Sequence, residues 1–114
     1  MIRFVILALM LSLPAQAEQR HPANDYPTAA RADYVIGCMA GNNFKREFLE
    51  RCACGIDTIA DTMTYEDYEM ADTILRMQQG AGAGRAAMFR DTPVAKEKTE
   101  LLRRAQAEVT LACR

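Results

Sequence analysis

The chain has 114 residues, a formal net charge of −1, four cysteines and one histidine, with 25% of its residues charged. That length holds a single domain. The near-neutral balance excludes nucleic-acid binding driven by bulk positive charge, and the lone histidine leaves histidine-based acid–base catalysis without a good candidate.

Met1-Ile2-Arg3 is a short positive start, and Phe4 to Leu13 is almost entirely apolar. That run is as long as a signal-peptide core and too short to span a bilayer. Pro14 breaks it and Ala15-Gln16-Ala17 supplies small residues for a peptidase, so residues 1–17 are expected to be a cleavable signal peptide. No cysteine follows at a lipid-attachment position and no second long apolar segment appears, so stable membrane insertion is not expected. The expected product is a soluble periplasmic protein. Removing Arg3 leaves thirteen Lys and Arg against fifteen Asp and Glu, a net charge of about −2.

Residues 18–26 carry no apolar period and contain His21; they are read as a flexible N-terminal arm ahead of a folded domain over 27–114. Pro27 suits the first turn of a helix, in which Ala30, Tyr34 and Cys38 recur every four residues. Gly41-Asn42-Asn43 signals a turn, with Asn43 available to cap the second helix. In that second segment Phe44, Phe48, Cys52, Ile56, Ile59 and Met63 form an apolar stripe. Cys54 falls on its polar side, and Gly55 marks a point at which the helix either continues or breaks. Thr64 with Asp67 resembles a capping box for a third helix running to about Gln79, whose inner face uses Tyr68, Ala71, Ile74 or Leu75, and Gln78. The glycine-alanine run from Gly80 to Gly84 ends it. Thr92-Pro93 then caps and opens a last helix, with Leu101, Leu102, Ala105, Val109, Ala112 and Cys113 on its apolar side. The expectation is an all-α fold, a small three- to four-helix bundle stapled by two disulfides.

Charge divides along the chain. Glu47 to Asp72 holds eight acids against Arg51, whereas Arg76 to Arg114 holds eight bases against four acids, so the two halves should attract.

The cysteines carry most of the inference. In an exported chain of this size an even count reads as a disulfide framework. Residues two apart on a helix point about 200° away from each other, so a bond between Cys52 and Cys54 is geometrically poor. One bond to Cys38 and one to Cys113 is preferred, and which member of the pair takes which partner stays open. The rival reading is a thiol-disulfide oxidoreductase using Cys52 and Cys54; Arg51 is close, but the pair lies away from the helix start that would lower a thiol pKa.

The spacing does not match a four-cysteine zinc site, and the haem-attachment pattern of two cysteines followed by histidine is absent. Met63, Met70 and Met77 recur every seven residues and raise copper handling as an alternative, although packing explains them more simply. The acids from Asp57 to Asp72 lack the spacing of a calcium loop, and the glycine-rich run lacks the strand and the Lys-Ser or Lys-Thr pair of a phosphate loop. No catalytic residue, metal ligand or cofactor is therefore assigned. Arg85, Met88, Phe89 and Arg90 combine cations with apolar groups and are the expected contact with a protein partner.

A signal sequence followed by one cysteine, a Cys52-Ala53-Cys54 pair and Cys113 resembles small exported helical proteins of Gram-negative bacteria. In size and compartment the chain is also similar to the small periplasmic acid-stress chaperones, whose cysteine arrangement is different. The resemblance transfers no functional residue; the lack of a catalytic constellation together with export leads to the expectation of a non-catalytic protein-binding or chaperone-like module.

Overall fold

Among the described residues the α-helices are α1 (Thr28–Gly41), α2 (Leu49–Thr62), α3 (Tyr65–Gly80) and α4 (Pro93–Ala112), with a 3-10 turn, Arg46–Phe48, leading into α2. They are seen in a computed structural model that describes residues 24–80, 84 and 90–114. The expected signal peptide, residues 18–23 of the expected arm, and Arg85, Met88 and Phe89 of the expected contact lie outside the described residues. No strand occurs among the described residues, and no helix there is long and apolar enough to cross a membrane.

Two helix starts follow directly from local chemistry. The Thr64 hydroxyl accepts the Asp67 amide at 3.2 Å, and the Thr92 hydroxyl accepts the Ala95 amide at 3.1 Å with Pro93 at the first helical position. Each satisfies one of the orphan donors of a first turn. The start of α2 differs from expectation. Asn43 does not cap it: Asn43 and Phe44 both adopt left-handed backbone, with φ of 55° and 52°. This turn closes α1 instead, because the amides of Asn42 and Phe44 both reach the Met39 carbonyl, at 3.0 and 2.8 Å. The turn conformation also sends Phe44 outward, 64% exposed, rather than onto the apolar stripe.

Gly55 does not break α2, which is continuous from Leu49 to Thr62. Its missing side chain makes room for α1: a Cβ there would lie 2.8 Å from the Tyr34 hydroxyl. Three links then fix α1 antiparallel to α2, with Arg31 on Asp57, Tyr34 over Gly55, and Cys38 bonded to Cys52. The second bond joins Cys54 to Cys113 beyond α4, and in both bonds the Cα atoms are 5.8 Å apart. The two-residue offset on α2 thus sends one covalent tie to α1 and the other to the end of α4.

The core forms where α4 packs along α2 and α3. Ile56 and Ile59 of α2, Tyr68 and Ala71 of α3, and Leu102 and Ala105 of α4 fill it. Ala95 and Thr99 of α4 are also buried, the Thr99 hydroxyl donating to the Ala95 carbonyl at 2.7 Å. Ala112, placed by periodicity on the apolar side, is exposed, whereas Cys113 is buried. No residue of α1 is fully buried; Tyr34 and Val35 only lean on the core. Lys98 of α4 meets Asp67 of α3 at 2.6 Å, joining the basic and acidic halves.

Tyr26 departs from the flexible-arm expectation. It is 6% exposed and packed edge-on to Tyr65 and tilted against Tyr68, with ring centroids 5.3 and 5.4 Å away. Its hydroxyl donates to the Met63 carbonyl at 2.9 Å, a group just past the end of α2 that no helix bond occupies. An aromatic ring that both fills the core and satisfies a carbonyl has reason to be fixed.

Candidate functional site

The antiparallel α1–α2 pair leaves an apolar groove of about 530 Å³ on its outer side. Small side chains contribute to it: Ala32 on α1 and Ala53 on α2 both line the groove and leave space that larger side chains would fill. Val35 and the buried Ile56 supply its apolar lining, and Ile36 stands on its margin, 59% exposed. Toward the start of α1 the groove meets the Arg31–Asp57 ion pair, which is partly shielded from solvent. Leu49, one turn before Ala53 on the same face of α2, is a further exposed large apolar side chain. Along α1 the lining extends from Thr28 to Ile36, about 12 Å at the helical rise, the length of two helical turns.

A mostly apolar concavity with one charged pair at its end suits an apolar segment rather than a reaction. Cys52 and Cys54 are not bonded to each other; each sits in a separate bond, and Cys52 is 1% exposed. The Thr58 hydroxyl lies 3.5 Å from the Cys113 sulfur and 3.9 Å from that of Cys54. Met63 packs against the core after α2, while Met70 and Met77 are exposed on α3, so the seven-residue repeat does not gather three thioethers at one place. Of the expected contact segment, Arg90 is exposed just ahead of α4.

Four tyrosines surround the inner side of the α1–α2–α3 junction, and all four hydroxyls hold their protons more tightly than usual. Burial is the main cause at Tyr26, with the charges of Tyr68, Asp25 and Asp67 adding to it. Burial pushes Tyr68 up to about 12, followed by the charge of Asp72. Burial raises Tyr34. Desolvation raises Tyr65, helped by the charge of Glu69, whose carboxylate accepts its hydroxyl at 3.3 Å. At Asp67 the hydrogen bond from Lys98 is the chief influence and holds the carboxyl low, while the same bond raises Lys98.

The groove was not legible in advance, because alanines at positions 32 and 53 carry no signal of a concavity. Exposed Ile36 offered a faint one, lying off the Ala30, Tyr34 and Cys38 stripe. No protein-family model, curated protein or solved structure matches the chain.

Proposed function

We propose that this is a non-catalytic, exported binding module of the periplasm, a disulfide-clamped bundle whose α1–α2 groove receives an apolar helical segment of another protein. The observation that carries this reading is the groove itself, apolar, about 530 Å³, with Ile36 at its margin and two turns long. Helix-in-groove recognition needs an apolar channel of that kind on a rigid support. Rigidity comes from the Cys38–Cys52 bond and from Tyr34 seated on Gly55, which together fix the two walls. Separate disulfides at Cys52 and Cys54 support a structural role for the sulfurs over thiol-disulfide exchange. Two such bonds also fit an oxidising compartment. Arg85, Met88, Phe89 and Arg90 are kept as a second contact with the same partner.

Burying the rest of Ile36 in a complex is worth about 2 kcal/mol, or roughly thirtyfold in affinity. A photoreactive residue at Ile36, with one at Leu111 as control, identifies the partner in periplasmic extracts; calorimetry then compares the purified partner with the wild type and Ile36→Asp. The expected result is a crosslink specific to Ile36 and a loss of at least about tenfold in affinity. The same crosslinks from both positions, or an unchanged affinity, removes the groove from the function. An unchanged affinity for Phe89→Ala with Arg90→Ala removes the second contact.

A further inference from the structure

On the other side of the bundle, the end of α3 and the start of α4 enclose a concave site of about 450 Å³ lined by Gln78, Arg90, Lys96, Thr99, Glu100 and Arg103. It shares no lining residue with the α1–α2 groove. Three cations face one acid there. Glu100 is engaged by arginines on its own helix, accepting from Arg104 Nε at 3.4 Å and lying 4.0 Å from Arg103. Neither Arg90 nor Lys96 forms an ion pair among the described residues. The Thr99 hydroxyl is committed to the Ala95 carbonyl, and the charged donors lining the site are Arg90, Lys96 and Arg103.

We propose that this site binds an oxyanion carrying two negative charges, either a phosphate group or a pair of closely spaced carboxylates. Three cations against one carboxylate leave an excess of two positive charges in one concavity, at the cost of mutual repulsion. A dianion bridging them relieves that repulsion, whereas a monoanion leaves one charge unmatched. Guanidinium and ammonium groups together suit both candidate sources, since arginine binds planar oxyanions through paired donors and lysine binds them as a point charge. The charge excess is local: it sits in the segment from Arg76 to Arg114 of a chain whose overall charge is −1.

The test is a titration of the isotope-labelled mature chain with inorganic phosphate, malonate and acetate at constant ionic strength, read by amide chemical shifts. Saturable shifts centred on Arg90, Lys96, Thr99 and Arg103 are expected with phosphate or malonate and not with acetate; the dianion that saturates identifies the source. Arg90→Gln, Lys96→Gln and Arg103→Gln should each weaken binding about fivefold, and Glu100→Gln should tighten it by a similar factor. Combining the three cation changes in one variant should abolish saturation, whereas a variant with Lys45, Arg46 and Arg51 all changed to Gln alters net charge by the same three units at and just ahead of the start of α2 and should bind as the wild type does. These residues are exposed, so the variants keep the fold, which circular dichroism verifies. Shifts that grow without saturating, that acetate reproduces, or that the three-glutamine variants at the site and at the α2 start reduce equally overturn the proposal.

Discussion

The two disulfides should contribute unequally, because they close loops of different length. The Cys38–Cys52 bond spans 14 residues and the Cys54–Cys113 bond spans 59. Restricting the unfolded chain by those amounts is worth about 3 kcal/mol and about 4 kcal/mol respectively. The loops follow one another without nesting, so each term stands independently of the other bond. Packing would blur a comparison of alanine variants, since Cys52 is buried and Cys54 is not. Measuring each bond with its own sulfurs in place avoids that. Cys38→Ala with Cys52→Ala leaves only the long bond, and Cys54→Ala with Cys113→Ala leaves only the short one; each variant is unfolded in urea with and without reductant. The oxidised-minus-reduced gap should be larger for the long bond by a little over 1 kcal/mol, about 6 °C in melting temperature. The urea slope should also rise on reduction, as the unfolded chain exposes more surface. Equal gaps, or a larger gap for the short bond, would refute the argument from chain restriction.

Gly55→Ala should fail to deliver the roughly 1 kcal/mol that a glycine-to-alanine change gives inside a helix, because its Cβ would meet Tyr34 at 2.8 Å; adding Tyr34→Ala should restore a positive response to alanine at 55 in a double-mutant cycle. Urea melts that show Gly55→Ala alone to be stabilising by the full amount would disprove the contact. Phe44→Gly should stabilise the isolated protein by about 1 kcal/mol, since φ at 44 is 52° and little packing is lost; a fall in melting temperature would count against it. Asp67 binds its proton more weakly folded than unfolded, so its contribution is present above the ordinary carboxylate value near 3.8 and disappears as pH falls through the lower folded value. Asp67→Asn should therefore flatten the acid side of the stability profile, and an unchanged slope would sink that reading. Raised tyrosines behave oppositely: stability is full below about 10 and lost above it as unfolded phenols ionise, toward about 12 for Tyr68. Phenolate absorbance should accordingly appear together with unfolding, and ordinary titration near 10 in a folded chain would contradict it.

Much of the bundle was written in local signals. Thr64 and Thr92 announce helix starts, and Cys52, Ile56 and Ile59 share a stripe, because capping and periodicity depend on neighbours only a few residues apart. The preference for one bond from the central pair to each outlying cysteine had the same origin. Choosing between the two pairings required the short α1–α2 turn, which brings Cys38 opposite Cys52 and leaves Cys54 facing α4. Tyr26, Gly55 and the groove were hidden for another reason. Each depends on a contact between segments, and an aromatic residue before a helix, a glycine within one, or alanines on facing helices look the same in sequence whether or not anything packs on them. Asn43 and Phe44 were misread because a left-handed turn that seals the preceding helix uses the same residues as a cap for the following one.

Sulfur ties α2 to α1 and to the end of α4, and α3 contains no cysteine at all. The helix holding Tyr68 and Ala71 in the middle of the core is therefore kept there by non-covalent contacts alone, including the Lys98 pairing with Asp67 and the Arg76 link to Asp33 of α1. Fluctuations short of global unfolding should lift α3 as a unit while its neighbours stay tethered, so the amides around its buried Tyr68 and Ala71 should exchange with solvent deuterium ahead of those around Ile56 and Ile59 of α2. The helix that supplies part of the centre is the one that can leave it.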